Sequence, residues 1–531
     1  MNIKNSSGLW MALLGGVLLW AGWPSSPLTL LLFVAWVPLL RLAETTGSWK
    51  KFFGLSYITL LLWNVLTTWW VAKASIPGGI SAFLANSLIM CLPWLVYFFT
   101  RKFLNRLVAG LALIVYWMSF EWMHLNWDLS WPWLTLGNAF ALHPSWVQWY
   151  EYTGVAGGSL WILLSNVLVH NLLLRYQEEG RSTGYFKLAA AWILTLGTPV
   201  ILSRWTKQNL ILEHNKYNVV VVQPNYDPWD TKFAAGKEEM QLQELITLSQ
   251  QQIDANTALV VWPETAVPYA VLEDQLKENR FLTPLWAFLR DHPQMNLLTG
   301  LEGRRLFTTR VSRYAQKLPD GSFVEGYNSA ALFDSASAQI YHKSKLVPGP
   351  EVLPAFLSFM GPLFEKFGGT MGGYARDTTE RVLQTSNHTF NITPAVCYES
   401  IYGGYLSAFN RKGANLICIV TNDGWWGDTQ GYRQHVQYAR LRAIESRKWV
   451  ARSANTGISC FIDPYGNIIQ QLPWNHKGVL KQTVAAFVSE TFYTRHGDWL
   501  FGIAAVTALA FLLFLIYKAI IQKKAITQKS S

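Results

Sequence analysis

Apolar residues dominate positions 9–23, 28–40, 55–72, 81–100, 103–123, 158–174 and 187–203, and return at 499–517 without a single charge. A hydrocarbon core about 30 Å thick takes roughly 20 apolar residues of helix to cross. The pattern therefore predicts an α-helical membrane bundle of about eight transmembrane segments, seven before residue 204 and one after residue 498. The first two runs are short for a span and also fit a re-entrant pair; either way the parity of the topology is the same. A cleaved leader is another reading of the first run, but Ala21-Gly22-Trp23-Pro24 is a poor cleavage site because small residues are wanted there.

Between these blocks the period changes. Short β-branched runs recur at 217–223, 258–262, 296–299, 330–333, 392–397, 415–421 and 458–463, with helical patterns at 238–254 and 432–447 among them. Alternating strand and helix predicts an α/β domain with a substantial sheet. The expected organisation is a bundle over 1–203, a globular domain over 204–498, a final span over 499–517 and a basic tail over 518–531.

Charge sharpens this division. The chain has 531 residues, of which 51% are hydrophobic and 15% charged, with a net charge of +11 and 27 Trp. Only 17 charged residues and as many as 18 Trp fall in 1–203. Trp is enriched at membrane–water interfaces, where one end of the indole is wet. With the N-terminus inside, the short inner segments carry fourteen Lys and Arg, whereas the short outer loops carry Lys73 alone. Cytoplasmic loops are the basic ones. Both termini are therefore expected in the cytoplasm and 204–498 on the outer face. The basic excess is then topological and needs no nucleic-acid partner. Glu121 and Asp128, near the outer end of the fifth run, read as solvated interfacial carboxylates or as head-group contacts.

The chain has four cysteines, Cys91, Cys397, Cys418 and Cys460, with no Cys-x-x-Cys pair, and its ten His show no metal-ligand spacing. Cys418 and Cys460 lie within strand-like runs, as buried thiols or as a disulfide. Cys397 ends a strand-like run, where an open α/β sheet presents groups to its ligand crevice. It reads as a nucleophile or as a buried strand-end thiol. Glu264, in Trp262-Pro263-Glu264, also follows a strand-like run and reads as its partner or as a turn carboxylate. Lys343 and Lys345 alternate in a stretch that as a strand places both on one face, as site residues or as solvated charge.

These motifs, Trp262-Pro263-Glu264, Tyr341-x-Lys343-x-x-Leu346-Val347-Pro348 and Cys397-Tyr398-Glu399, occur in an order that resembles the Glu-Lys-Cys triad of the nitrilase (carbon–nitrogen hydrolase) superfamily. A domain inserted between seven spans and an eighth resembles its membrane-embedded branch, the apolipoprotein N-acyltransferase family. Thr421-Asn422-Asp423-Gly424-Trp425-Trp426-Gly427, Arg440-x-Arg442-Ala443-x-Glu445 and Thr491-x-Tyr493-x-Arg495-x-Gly497-Asp498 are similar to that family as well. The resemblance implies an αββα sandwich, with Cys397 as nucleophile, Glu264 as general base and Lys343, chosen over Lys345 by family spacing, as oxyanion stabiliser. It implies supporting or substrate-binding roles for Asn328, Glu351, Tyr398 and Glu399. The sequence departs from the family at Val347-Pro348-Gly349-Pro350-Glu351 and in the loop that carries Trp229, the counterpart of a family substrate-arm tryptophan.

The implied reaction moves an acyl chain from a membrane phospholipid, through a Cys397 thioester, to the N-terminal amine of a diacylglyceryl-cysteine apolipoprotein. It implies ping-pong kinetics, no metal or organic cofactor, and a monomer in the bacterial inner membrane with its catalytic domain in the periplasm. A membrane-anchored nitrilase-type amidase acting on a small amide is the alternative. A transporter or binding scaffold is a third class, but few ionisable residues lie within the spans. The Phe-, Leu- and Met-rich stretch 354–374, with paired glycines, reads as an interfacial lid or as a packed insertion.

Overall fold

The computed structural model describes residues 3–208, 216–353, 373–487 and 490–530. The chain divides into two compact units: Met1–Trp69 with Gly79–Gln208 and Asp498–Ser531, and Trp70–Gly78 with Asn209–Gly497. The first is helical. Among the described residues, five helices are long and apolar enough to cross a membrane: Ile76–Thr100, Arg106–Leu125, Val155–Glu179, Thr183–Lys207 and Trp499–Gln522.

The run at 28–40 does not form the expected span. It is a 3-10 turn, Thr29–Phe33, followed by a short helix, Val37–Thr45. Non-helical backbone is tolerated at membrane depth only where protein satisfies its polar groups. Helix Val155–Glu179 does so here. The Asn166 side chain donates to the Leu32 carbonyl at 2.7 Å and accepts from the Trp36 N–H at 2.8 Å. Ser165 donates to the Phe33 carbonyl at 2.9 Å.

Several tryptophans also depart from the interfacial expectation. Trp23, Trp36, Trp63, Trp94 and Trp117 are fully buried. Trp36 meets Trp117 at 4.8 Å and Trp94 at 5.2 Å between ring centres. Flat rings fill the gaps between helices where lipid would otherwise leave voids. Glu121 is likewise buried rather than solvated. One of its oxygens accepts from Trp117 Nε1 at 3.0 Å and from the Leu136 N–H at 2.7 Å, which pins the 3-10 segment Leu136–Leu142 to helix Arg106–Leu125. Asp128 is exposed.

The second unit holds two sheets. One runs in the order Gly478–Ala485, Lys216–Gln223, Thr257–Val261, Asn296–Phe307, Phe323–Phe333, Gln316–Lys317, with Ala270–Leu272 and Ala338–His342 paired off this path. The other runs Ile468–Gln471, Cys460–Ile462, Val450–Ala454, Leu416–Thr421, Asn391–Val396, Leu383–Gln384. The central strands of each sheet are parallel.

Period-2 alternation sorts their side chains. Val219, Val221, Leu259 and Val261 meet Ile392, Val396, Cys418 and Val420 between the sheets. Val220, Val222 and Val260 face outward onto Leu242, Leu245 and Leu285 of helices Glu238–Gln250 and Thr283–Asp291. Ile417 and Ile419 face Val436 and Ala439 of helix Gln430–Ser446. The layering is helix, sheet, sheet, helix. Cys418 lies in the inner core and Cys460 in the outer one, on opposite faces of one sheet, and both are free thiols. The disulfide reading is therefore overturned.

Candidate active site

Ligand-binding groups in parallel sheets gather at the carboxyl ends of the strands. Here strand Thr257–Val261 runs into Glu264, Asn391–Val396 into Cys397, and Leu416–Thr421 into Asn422 and Asp423. The chain turns sharply at each end. Thr265 has φ 48° and Cys397 φ 52°, both in the left-handed region that costs L-residues about 1 kcal/mol or more. The Glu264 turn lies hard against Gly300. A Cβ on Gly300 would stand 2.5 Å from Thr265 N, 2.6 Å from Glu264 Cα and 2.7 Å from Pro263 O, all backbone.

Glu264, Lys343 and Cys397 are all buried and come together. Glu264 Oε1 accepts from Asn328 Nδ2 at 2.8 Å and stands 3.5 Å from Lys343 Nζ. Glu264 Oε2 accepts from the Asn422 N–H at 3.0 Å. The Cys397 thiol lies close enough to Glu264, Lys343 and Thr421 for each to act on its protonation. Lys343 Nζ donates to Glu351 Oε1 at 2.7 Å. Asn328 Nδ2 reaches Glu351 at 3.0 Å, so a single amide links the two carboxylates. The other Glu351 oxygen accepts from the Val347 N–H at 2.7 Å.

Strand Ala338–His342 ends before Lys343, so Lys343 and Lys345 do not share a strand face as expected. The Lys343 N–H bonds the Asn328 carbonyl at 2.8 Å and its side chain turns into the site. Lys345 instead lies over the Tyr402 ring at 5.2 Å.

Three charged or chargeable groups in a buried site set one another's protonation. Burial pushes the Glu264 carboxyl above its usual range; Lys343 opposes this and Glu351 adds to it. Burial alone would depress Lys343, but Glu351 and Glu264 override it and hold the ammonium above the ordinary Lys value. Burial raises the Cys397 thiol, Glu264 raises it further, and Lys343 pulls the other way. At rest the site thus holds a protonated sulfur beside a fixed positive charge and a buried carboxyl group.

Glu399 joins the two halves of the site from behind. It is fully buried. Its Oε1 accepts from Tyr341 O–H at 2.6 Å and from the N–H groups of Ser344 at 2.7 Å and Lys345 at 3.1 Å. Its Oε2 accepts from the Val396 N–H at 2.9 Å. One carboxylate therefore fixes the Lys343 loop against the Cys397 strand. Tyr398 is buried, with its ring edge-on to Tyr402 at 5.3 Å. Trp229 is 57% exposed and packs edge-on to Trp425 at 5.1 Å, apart from these groups. Residues 354–372, nearly all of the lid expectation, lie outside the described residues. No group of three or more His, Cys, Asp or Glu among the described residues is placed to hold a metal ion.

Sequence reasoning assigned no role to Asp423, His435, Arg452 or Ser400, which form a buried network against Cys397. Asp423 stands in a motif already noted. His435 lies on helix Gln430–Ser446 and Arg452 inside strand Val450–Ala454. The one available signal was an arginine within the otherwise uncharged strand Val450-Ala451-Arg452-Ser453-Ala454.

A carbon-nitrogen hydrolase model matches residues 218–491, and an apolipoprotein N-acyltransferase N-terminal domain model matches 15–168. An apolipoprotein N-acyltransferase of Chlorobaculum tepidum is 33% identical over 522 residues, 95% of this chain and 96% of its own. The chain belongs to the apolipoprotein N-acyltransferase family. Members of the family from Geobacter metallireducens and Pseudomonas aeruginosa are 28% identical over 94% of this chain and 30% identical over 76% of it, covering 95% and 73% of their own lengths. Because the family's two models fall on the helical unit and on the paired sheets respectively, the groups around Cys397 lie within the carbon-nitrogen hydrolase match.

Proposed function

We propose that this chain is an N-acyltransferase that moves an acyl chain from a membrane phospholipid to the N-terminal amine of diacylglyceryl-cysteine apolipoproteins. The observation that carries the reading is the meeting of a thiol, a carboxylate and an ammonium at the strand ends, within 3.5 Å for the charged pair. In the first half-reaction Glu264 takes the Cys397 proton as sulfur attacks the ester carbonyl. The oxyanion is held by Lys343 and by the N–H of Tyr398. The carbonyl re-forms, the ester C–O bond breaks, and the lysophospholipid oxygen leaves with the proton from Glu264. In the second, the apolipoprotein amine attacks the thioester, Glu264 accepts its proton, and the Cys397 thiol is regenerated. One acyl site serves both steps, which is ping-pong. Glu351 and Asn328 hold Glu264 and Lys343 in place, and Glu399 holds the loop that carries Lys343.

The bundle gives both substrates a place for chains that would cost about 0.8 kcal/mol per CH₂ in water. We read 204–498 as the catalytic domain, facing the periplasm of a bacterial inner membrane, with both termini cytoplasmic. The topology uses eight apolar segments, the second of them broken at 28–45. The enzyme acts as a monomer, and Trp229, with Trp425, contributes an exposed aromatic face to substrate entry.

The test is to incubate purified protein with phospholipid labelled in its acyl chain. A hydroxylamine-labile label is expected on the wild type and not on Cys397→Ala. Label on that variant removes Cys397 from the reaction. Adding a diacylglyceryl-peptide is expected to discharge the label onto its amine; discharge only to water favours the amidase.

A further inference from the structure

Against the backbone of Cys397 lies a second set of buried polar groups that the triad chemistry does not use. His435 Nε2 lies 2.9 Å from Ser400 Oγ and 3.2 Å from the Cys397 carbonyl oxygen. Ser400 Oγ donates to that same carbonyl at 2.7 Å. With the serine proton on that carbonyl, the tautomer that adds a second donor to the pair carries its proton on Nε2. Its Nδ1 stands 2.9 Å from Asp423 Oδ1 and 3.1 Å from Arg452 Nη2, which donates to it in that tautomer. Asp423 is held in turn by Arg452 Nη2 at 2.7 Å and by Thr421 Oγ1 at 2.9 Å. Burial would raise Asp423, but Arg452 and His435 override it and hold the carboxyl down at about 2. Trp426 lies edge-on to His435 at 5.7 Å. His435, Asp423 and Arg452 are fully buried, and Ser400 is 1% exposed.

Stability alone is a weak reason for such a cluster, since replacing buried ionic groups by well-packed apolar ones is often neutral or stabilising. Its hydrogen bonds to Cys397 converge on the backbone carbonyl, beside the action of Asp423 and Thr421 on the thiol. The Cys397 carbonyl and the Tyr398 N–H are two ends of one planar amide. Two donors on the carbonyl oxygen fix the plane of that amide at a residue whose backbone is strained. They also withdraw electron density and make the N–H at the other end a stronger donor.

We propose that His435 and Ser400, anchored by Asp423 and Arg452, are positioning residues that orient and polarise the Cys397–Tyr398 peptide so that its N–H holds the oxyanion. This rests on the acyl-transfer reading above. Both half-reactions pass through an oxyanion, so both depend on the relay. Alkylation of the same sulfur by iodoacetamide forms no oxyanion and does not.

The test uses the purified full-length chain. Single-turnover acylation by labelled phospholipid, discharge to a diacylglyceryl-peptide, and iodoacetamide alkylation are measured at one pH for wild type, Ser400→Ala, His435→Leu and His435→Gln. Ser400→Ala and His435→Leu are expected to slow both acyl steps on the order of tenfold to a hundredfold. The phospholipid KM and the alkylation rate should stay within about twofold in these variants, because neither depends on oxyanion binding. Glutamine places an amide nitrogen near the imidazole Nε2, so His435→Gln should recover most of the loss. If alkylation falls in step with acylation, the network merely places the sulfur and the proposal fails. It fails also if acyl transfer is unchanged, or if His435→Gln is no better than His435→Leu. Should His435→Leu not fold, Ser400→Ala, a loss of one oxygen, carries the comparison. A wild type that alkylates at Cys397 yet takes no acyl label defeats the acyl-transfer reading itself, and the relay with it.

Discussion

Glu264 Oε1 faces an amide at 2.8 Å and an ammonium at 3.5 Å, yet burial keeps its carboxyl above the usual range. The sign follows directly. A base with a raised pKa is lost to protonation at a higher pH, so acylation should show an acid limb above the ordinary Glu value of 4.5. Glu264→Gln is expected to erase that limb and lower acylation by about 10²–10⁴-fold; an unchanged profile would remove Glu264 as the base. Lys232 is a second case. It is 2% exposed, its ammonium has no hydrogen-bond partner among the described residues, and burial drives it from 10.5 down to about 7. Between those values the unfolded chain carries a proton that the folded chain does not, so stability rises with pH across that window. Lys232→Met should therefore stabilise the protein by roughly 2–4 kcal/mol at pH 7, with the gain shrinking towards pH 10. Denaturant unfolding of both proteins at the two pH values checks this.

At the scale of elements, Glu264, Lys343 and Cys397 each sit where a strand stops and the backbone bends. Cys397 and Glu264 were legible because β-branched runs end just before them. Lys343 was legible only in part: the alternation of Tyr341-His342-Lys343-Ser344-Lys345 suggested one strand, but that strand stops at His342 and the next residue turns inward. The steric demand at Gly300 could not be read at all, because its neighbours lie 35–37 positions back in the chain. Gly300→Ala is expected to displace the Glu264 turn and lower acylation about 100-fold, the scale on which a 1 Å misplacement acts. Thiol alkylation should fall as well, because the displaced carboxylate is the proposed acceptor of the sulfur's proton. Normal acylation in this variant would mean that the turn tolerates the shift.

Across the whole molecule, the charge asymmetry of the loops and the family assignment bear on the same question of sidedness. With native cysteines buried, single cysteines can report it. Gly47→Cys, on an open loop, should resist a membrane-impermeant maleimide in cells with a permeabilised outer layer. Asp320→Cys, at an exposed hairpin tip, should react. The reverse pattern would invert the proposed topology. Within the helical unit, buried tryptophans and the side chains of Ser165 and Asn166 do what water does in a soluble protein: they fill space and satisfy backbone that is not in a long helix.

Local pattern alone was enough for the two-part division, the strand-and-helix alternation and the strand-end positions of Cys397 and Glu264, because hydropathy and period are properties of neighbouring residues. Only the tertiary structure decided that 28–40 breaks, that Glu121 is buried, that Cys418 and Cys460 lie on opposite faces, and that His435 and Arg452 meet beside Cys397. Each of those depends on contacts between segments distant in the chain. Helical or strand periodicity states which way a side chain points, but not what it meets there.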